Sequence, residues 1–342
     1  MLLKKQLDQL LPYCHVLSTI RQEDDEAGWL AARTHGIGGS DVGAICGVNN
    51  WSSAKQIYFR KVGMYQEETH PSNAAQERMH FGHMLEPVVA DEFVLRMQEV
   101  ANYHCIEAGC TFRNNAKEYL LANVDRFVCD ENDNIVGILE CKTANENMNS
   151  EWDQGMVPQS YYYQVQHYLH VTGLTHAWIA CLVGGNKFYI YDIFYDTALY
   201  DGFILPKLEY FWTNNVLKLQ EPDPMPADSD FYDALFSPSK VTGESVEFTD
   251  GSFDTIADEI MMLKAQIKEL EAQVKERQAV IKQALGDNLR GYTSRYEFTW
   301  APRSRSGVDT NKLRQQYPDV YEDCMHVTEY RQLGIKKVAD DD

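Results

Sequence analysis

Two carboxylates and a lysine, each placed where an apolar stretch of chain ends, are the residues best suited to chemistry. Asp125 closes one such stretch, and Glu140 and Lys142 close the next one. Side chains alternate along a strand, so Glu140 and Lys142 face one side and Cys141 faces the other. If the two strands pair, Asp125 approaches Glu140. Two carboxylates from adjacent strands form a hard oxygen site suited to Mg²⁺ or Mn²⁺.

A lysine beside such carboxylates adds a second chemical capability. Lys142 can orient a water molecule, help to deprotonate it, and stabilise charge that develops on a phosphate. The alternative is a surface hairpin that carries ordinary charges. Carboxylates at the ends of strongly apolar strands are costly unless they are paired or bound to metal. That cost favours the metal site.

Further polar groups lie on segments with helical patterns. Glu86 precedes Pro87 at an expected helix start, where proline suits the first turn and the helix dipole stabilises a carboxylate. Simple capping of that helix is an equally good interpretation. Gln164 and Tyr168 lie one helical turn apart and could offer an amide to a metal-bound water and a phenol to a phosphate. An aromatic packing face is the preferred interpretation for the tyrosines here, while Tyr161 and Tyr168 remain candidate DNA contacts.

The elements that must position these groups alternate between strands and helices over residues 1–215. Strands are predicted over residues 119–129 and 135–142, joined by a turn-prone segment, and over residues 177–183 and 187–194, joined around Gly184-Gly185-Asn186. Helices are predicted over residues 24–32, 84–97, 159–171 and 199–219. Ser40 or Asp41 is expected to cap a helix that begins at Val42.

Composition divides the chain into a domain over residues 1–219, an acidic, proline-rich linker over 220–252, and an extension over 253–342. In the extension, apolar residues alternate at spacings of four and three, with Arg277 breaking one position: Ile256, Ile260, Leu263, Ile267, Leu270, Val274 and Ile281. This pattern predicts an amphipathic helix that ends at Gly286. Packing on its own domain and self-association as a coiled coil are both open. A small β segment is predicted over residues 292–300.

Bulk composition limits the class of protein. The chain has 342 residues, 44% of them hydrophobic and 24% charged, and its formal net charge is −20. This charge argues against a general nucleic-acid coat protein, because phosphate binding depends on Lys and Arg. No run of 18 apolar residues predicts a membrane span, and the N-terminus lacks a signal peptide. The eight scattered cysteines favour reduced thiols. We therefore expect a cytoplasmic protein.

The site residues together resemble the PD-(D/E)XK nuclease superfamily, and within it the YqaJ-type viral recombinase nucleases, relatives of phage lambda exonuclease. The resemblance covers residues 29–195. It rests on five elements in the family's order: Trp29 to Arg33 with Gly38-Gly39-Ser40-Asp41, then Gly82-His83-Met84-Leu85-Glu86-Pro87, Asp125, Glu140-Cys141-Lys142, and Gln164 to Tyr168. The expected fold class is α/β, with a central mixed β-sheet flanked by helices, followed by a long C-terminal helix and a small β hairpin.

The resemblance implies a set of metal ligands. Asp125, Glu140 and the backbone carbonyl of Cys141 would hold Mg²⁺, with Mn²⁺ able to substitute. Glu86 would support a second metal or its water. One departure is Val124, which stands where the superfamily name implies a proline before the aspartate.

The resemblance also implies roles around the water and the DNA end. Lys142 would activate the nucleophilic water, and Gln164 would help to position it. Arg33 and Ser40 match the family's pair that receives a terminal 5′-phosphate. Arginine makes forked phosphate contacts, and a glycine-rich turn before a helix offers free N–H groups to an anion.

The implied function is a 5′→3′ exonuclease that degrades one strand of linear duplex DNA by two-metal hydrolysis. Its 3′ overhang would serve a single-strand annealing partner of the RecT or Beta type, and related exonucleases form rings. Two alternatives stay open. One is a structure-specific or restriction-like endonuclease on the same core. The other is an inactive nuclease core that serves as a DNA-binding scaffold.

The basic segment over residues 290–314 carries a local charge of +4 and interleaved aromatic side chains. Cations combined with aromatics suit contacts with the DNA backbone and bases, so Arg303 and Arg305 are candidate DNA-binding residues. A small hairpin with solvated charges is an equally good interpretation. Unchanged DNA affinity at low salt after substitution of both arginines by alanine would exclude the hypothesis.

Overall fold

The computed structural model describes residues 7, 10–21, 24–49, 51–64, 73–153 and 155–338. The chain forms two compact units, Met1–Leu235 and Phe236–Asp342. Across the described ranges, every helix is too short or too polar to cross a membrane.

A five-stranded mixed sheet forms the centre of the first unit, in the order β2-β5-β6-β7-β8. Its strands are β2 (His104–Glu107), β5 (Arg126–Cys129), β6 (Ile135–Ala144), β7 (His176–Val183) and β8 (Lys187–Phe194). Strands β6 and β7 are parallel, and the other neighbours are antiparallel. Glu140 stands opposite Ile179 and Lys142 opposite Cys181. The two hairpins predicted from the sequence, β5–β6 and β7–β8, are confirmed.

A second, antiparallel sheet in this unit has the order β1-β3-β4. Its strands are β1 (Cys14–Ser18), β3 (Thr111–Asn114) and β4 (Leu121–Asn123). The strand predicted over residues 119–129 is therefore divided between the two sheets. Asp125 lies in the short connection where the chain leaves β4 and enters β5, and it does not end a continuous strand.

After β1, the described part of the first unit contains the following helices in chain order. They are α1 (Glu26–Thr34), α2 (Gly39–Cys46), α3 (Ala54–Lys61), α4 (Asn73–Met97), α5 (Asn149–Trp152), α6 (Gln159–Thr172), α7 (Thr197–Leu199), α8 (Leu205–Tyr210) and α9 (Asp228–Leu235). Two π-helical segments, Tyr200–Ile204 and Phe211–Val216, continue α7 and α8. The α6 prediction is confirmed, and Gly173 ends this helix in the left-handed region at φ 76°.

Two helices cover opposite faces of the central sheet. Helix α4 packs on β6 and β7, where Phe93 is fully buried and its ring centroid lies 5.7 Å from that of Trp178. Helix α6 connects the parallel strands β6 and β7, and it packs on β7, β8 and β4. Burial on both faces explains why β6 and β7 are apolar along most of their length.

The segment expected to be a linker over residues 220–252 contributes α9 to the first unit. Phe231 of this helix is buried, and Asp228 accepts a hydrogen bond from the Ser53 hydroxyl at the start of α3. Met225 donates its N–H to the same carboxylate at 2.6 Å. The two compact units therefore divide at residues 235 and 236.

The second unit contains one long helix and a small hairpin, as predicted. Helix α10 (Ser252–Leu285) ends at Gly286, and the hairpin pairs β9 (Arg290–Tyr292) with β10 (Glu297–Thr299). Two short helices follow, α11 (Thr310–Gln316) and α12 (Pro318–Asp323). The fold class is α/β, a central mixed sheet flanked by helices with this C-terminal helix and hairpin.

Candidate active site

Strand β6 carries two of the candidate side chains on one face. Glu140 is almost fully buried, and its Oε1 lies 2.5 Å from Nζ of Lys142. These residues are two apart on the strand, so their side chains point the same way. Cys141 points to the opposite face, into the apolar cluster under α4.

The connection before β5 brings Asp125 to the same place. Its Oδ2 accepts the backbone N–H of Cys141 at 2.9 Å, which ties the carboxylate to the middle of β6. Asp125 and Glu140 therefore approach each other, as the sequence predicts. The metal-binding role expected for the Cys141 carbonyl stays a prediction.

Helix α6 supplies an amide to this group. Nε2 of Gln164 donates to Oε1 of Glu140 at 2.7 Å and to the Tyr168 hydroxyl at 2.9 Å. The contact of Tyr168 with a DNA phosphate stays a prediction, and the side chain itself is buried, as expected of an aromatic packing face. The reason is that this face of α6 lies against α2: a Cβ added at Gly39 would overlap the Tyr168 ring.

Glu86 does not stand at a helix start, contrary to the sequence prediction. It lies in the middle of α4, with Pro87 inside the helix, so no helix dipole stabilises its carboxylate. Instead, Oε1 of Glu86 accepts from Nη1 of Arg126 at 2.6 Å. The same nitrogen donates to the Asp125 carbonyl at 2.8 Å, so Arg126 links α4 to the acidic connection.

Burial and like charge dominate the electrostatics of this cluster. Burial, and then the charge of Glu140, raises the pKa of Asp125 above its usual value. Burial raises the pKa of Glu140 by more than Lys142 lowers it. Burial and the charge of Asp125 likewise raise the pKa of Glu86. The nearby cations therefore do not fully offset burial and mutual repulsion, and the pKa values of all three carboxyl groups stay above their usual values.

The residues present fit a divalent cation. Oε2 of Glu140 is buried and has no hydrogen-bond partner among the described residues. An orphaned carboxylate oxygen beside a second, partly buried carboxylate is the arrangement that a hard cation relieves. Within the described ranges, however, no three His, Cys, Asp or Glu side chains are already arranged as metal ligands. Glu86 is the carboxylate turned away, toward Arg126.

Lys142 stays cationic in this setting. Burial lowers the pKa of Lys142, but the charges of Glu140 and Asp125 outweigh it and hold the pKa above the usual value. Its ammonium also lies 4.9 Å from the centroid of the Tyr161 ring, which stacks on Trp152. Tyr161 is half-buried beside the cluster.

The glycine-rich turn brings Arg33 and Ser40 together, as predicted. Nη2 of Arg33 donates to the Ser40 hydroxyl at 2.5 Å. The expected N-cap of α2 is wrong, because Gly38 takes that position and donates its N–H to Asp41 at 3.0 Å. Helix α2 begins three residues earlier than the sequence indicated, since the glycines were assigned to the turn.

A buried ion pair supports this turn. Nζ of Lys61 lies 2.9 Å from Oδ2 of Asp41, and both side chains are 6% exposed. Lys61 also donates to the Arg33 carbonyl at 2.8 Å. Burial raises the pKa of Asp41, but Lys61, then Arg60 and Arg33, outweigh it and hold the pKa far below its usual range.

A cavity of about 220 Å³ lies beside the carboxylates Asp125 and Glu86. Its lining includes Glu86, Asp125 and Arg126 on one side and Trp29 of α1 on the other. Trp29 carries the Arg33 guanidinium 4.4 Å above its ring. The cavity therefore extends from the carboxylates toward the helix that presents Arg33.

Arg303 and Arg305 lie in the second unit, in an exposed segment without regular structure that follows β10. The prediction that they contact DNA remains a prediction. Sequence reasoning missed Arg126 and Lys61. Arg126 was detectable from its position directly after Asp125, whereas Lys61 gives no local signal because its partner lies 20 residues away.

Comparison with known proteins identifies the family. Residues 28–175 match the model of the YqaJ-like viral recombinase domain. The chain is 35% identical over 315 residues to the uncharacterized protein YqaJ of Bacillus subtilis (strain 168), covering 91% of this chain and 94% of that protein. The chain belongs to the YqaJ-like viral recombinase family.

Solved structures give weaker likenesses. The crystal structure of an alkaline exonuclease from Laribacter hongkongensis matches with a TM-score of 0.45 and 17% identity, over 56% of this chain and 94% of that one. The complex of the same exonuclease with dAMP matches with a TM-score of 0.44 and 18% identity.

Proposed function

We propose that this chain is a metal-dependent deoxyribonuclease that degrades one strand of linear duplex DNA in the 5′→3′ direction and leaves a 3′ overhang. One observation carries the proposal: Lys142 and Gln164 both donate to Glu140, whose second carboxylate oxygen is orphaned, and Asp125 is held beside them by the backbone N–H of Cys141. Membership of a viral recombinase family supports a substrate of DNA.

The acidic residues would hold the metal. Asp125, Glu140 and the Cys141 carbonyl are the proposed ligands for Mg²⁺ or Mn²⁺, and Glu86 is the proposed ligand for a second ion. The bound ions would supply Lewis acidity and a water of lowered pKa. Glu86 must exchange its partner Arg126 for that role, which leaves Arg126 free to face the DNA phosphate from the cavity wall.

Lys142 and Gln164 are the proposed partners of the nucleophilic water and of the negative charge on the scissile phosphate. Because Lys142 is held cationic, it orients the water and stabilises negative charge on the scissile phosphate, rather than removing a proton as a neutral amine. Gln164 fixes Glu140 through one amide hydrogen and Tyr168 through another, so its amide is pre-oriented.

The preference for DNA ends would come from the Arg33–Ser40 pair. Three cationic side chains, Arg33, Arg60 and Lys61, lie around the Asp41 carboxylate, so positive charge is gathered at this corner of a chain of net charge −20. A terminal 5′-phosphate is a dianion that suits such a corner.

Digestion of labelled DNA tests the proposal. Linear duplexes carry a label at the 5′ or 3′ end, with and without 5′-phosphate, and are incubated with Mg²⁺, Mn²⁺ or chelator. We expect progressive loss of the 5′-ended strand, faster with 5′-phosphate. Glu140→Gln abolishes it, whereas Glu131→Gln, in the exposed turn before β6, leaves it unchanged. Arg33→Lys reduces the phosphate preference more than the maximal rate.

Other outcomes would replace the proposal. Closed circular duplex cut as readily as linear duplex would favour a structure-specific or restriction-like endonuclease. No digestion, together with no Mn²⁺ binding by calorimetry, would favour an inactive DNA-binding scaffold. The 3′ overhang is the proposed substrate of a single-strand annealing protein of the RecT or Beta type, which co-purification with such a protein would test.

A further inference from the structure

Helix α10 is long and its apolar side chains are exposed. Its 34 residues span about 51 Å. Five apolar residues at its heptad spacing are between 49% and 59% exposed, and Ile260 and Ile281 of the same pattern are partly exposed: Ile256, Leu263, Ile267, Leu270 and Val274 are the five. Most helical stability in proteins comes from packing of an amphipathic face, so a helix of this kind needs a surface to cover that face.

The residue types along the stripe specify what covers it. Positions a of the heptads hold β-branched residues, and two successive d positions hold Leu263 and Leu270. The a residues are Ile260, Ile267, Val274 and Ile281. β-Branched residues at a with leucine at d favour parallel two-stranded coiled coils over trimers and tetramers. We call these a and d residues, together with Ile256, the seam.

Charges beside the seam agree with a parallel pair of identical helices. Glu259 occupies a g position, and Lys264, five residues later, occupies the next e position. In a parallel dimer the g side chain of one helix meets the following e side chain of its partner. Two such Glu–Lys pairs form by symmetry. Away from the seam, the f positions hold the small or polar residues Asp258, Ala265, Ala272 and Ala279.

We propose that α10 forms a parallel, two-stranded coiled coil with a second copy of this chain. Arg277, at a d position, sets two guanidinium groups against each other in the dimer. It weakens the pairing and fixes the register, as single polar residues at core positions do.

The experiment measures the mass of the full chain across concentrations by sedimentation equilibrium. We expect a reversible dimer of twice the 39.3 kDa chain mass. Leu270→Asp raises the dissociation constant at least about a hundredfold, because it buries a charge in the seam. The matched control Ala272→Asp places the same charge on the opposite face and leaves the constant within about twofold. Arg277→Leu lowers it at least about tenfold.

Charge exchange tests the parallel orientation. Glu259→Lys alone weakens the dimer about three- to tenfold, because Lys then faces Lys264 of the partner. Adding Lys264→Glu restores the original constant. A chain that stays monomeric to about 100 µM, a trimer, equal effects of Leu270→Asp and Ala272→Asp, or no rescue by the double exchange would each overturn the proposal. Nuclease activity is not the readout, so the proposal stands or falls independently of the proposed function.

Discussion

The two units of this molecule treat charge and apolar surface in opposite ways. The first unit buries Glu140, Asp41 and Lys61 inside a packed α/β core. The second unit exposes most of the apolar side chains of α10. Each arrangement is costly by itself, since a buried charge needs a partner and an exposed apolar stripe needs a cover.

The two units differ in what offsets the cost of their buried charges or exposed apolar side chains. In the first unit, the buried charges find opposite charges and hydrogen bonds within the same unit, except at the acidic cluster, where the carboxylates outnumber the cations. In the second unit the compensation must come from another surface. The acidic cluster therefore calls for a cation and the seam for a second helix.

The largest expected effect is on the acidic cluster. Asp125→Asn should reduce hydrolysis of linear duplex at least about a thousandfold, or about 4 kcal/mol in the barrier. The temperature of unfolding should not fall, because the substitution relieves repulsion between buried carboxylates. Asp133→Asn, in an exposed turn, is the matched control. An Asp125→Asn protein that loses stability would show that the carboxylate serves the fold.

The second effect contrasts the two apolar surfaces. Phe93→Ala removes a fully buried ring packed on Trp178 and should destabilise the first unit by about 3–5 kcal/mol. Leu263→Ala on the exposed seam should cost under about 1 kcal/mol in dilute protein. Hydrogen exchange measured region by region separates the units. Similar losses of stability for Phe93→Ala and Leu263→Ala would show that the two apolar surfaces do not differ in this way.

The third effect concerns the ion pair under the glycine-rich turn. Lys61→Met leaves the buried Asp41 without its nearest cation and should destabilise the first unit by about 3 kcal/mol. The double variant Asp41→Asn with Lys61→Met should regain most of that loss, which urea unfolding of all three proteins measures. If the single and double variants are equally unstable, the pair is not what holds the turn.

The smallest effect is a pH dependence carried by His167. Its Nε2–H donates to the Leu121 carbonyl, and its Nδ1 accepts from the Tyr200 hydroxyl. Burial lowers the pKa of His167 to about 4, with a smaller contribution from His170 in the same direction. Asp41 acts in the opposite sense. The unfolded chain takes up this proton near pH 6.5 and the folded chain only near pH 4, so acid favours unfolding between those values.

Stability should therefore be complete above about pH 6.5 and fall by about 2 kcal/mol at pH 5 from this residue alone. Urea unfolding of the parent and of His167→Gln at pH 8 and pH 5 measures the difference. The variant should show a shallower pH dependence by that amount. Identical slopes in the two proteins would assign the acid sensitivity to other groups.

Local sequence patterns predicted the elements whose periodicity is regular. The spacing of apolar residues gave α6 and α10, and Gly173 and Gly286 marked their ends. The alternation of β6 placed Glu140 and Lys142 on one face and Cys141 on the other. Each of these depends on residues close in the chain, where helix or strand geometry alone decides which side chains share a face.

Other features depend on distant parts of the chain, and the helix start predicted at Glu86 was wrong for that reason. Glu86 resembles a helix start only because apolar periodicity begins after Pro87, yet α4 begins 13 residues earlier. Tyr168 is buried because α2 packs on α6 and Gly39 lets the backbone approach its ring.

The sequence by itself determined the family, the chemistry-bearing residue types and the order in which they occur. Only the tertiary structure decided that the chain changes sheets at Asp125, that Arg126 holds Glu86, and that Lys61 anchors Arg33. The physical reason is that a hydrogen bond or ion pair across the fold depends on packing between whole elements. No local spacing encodes that packing.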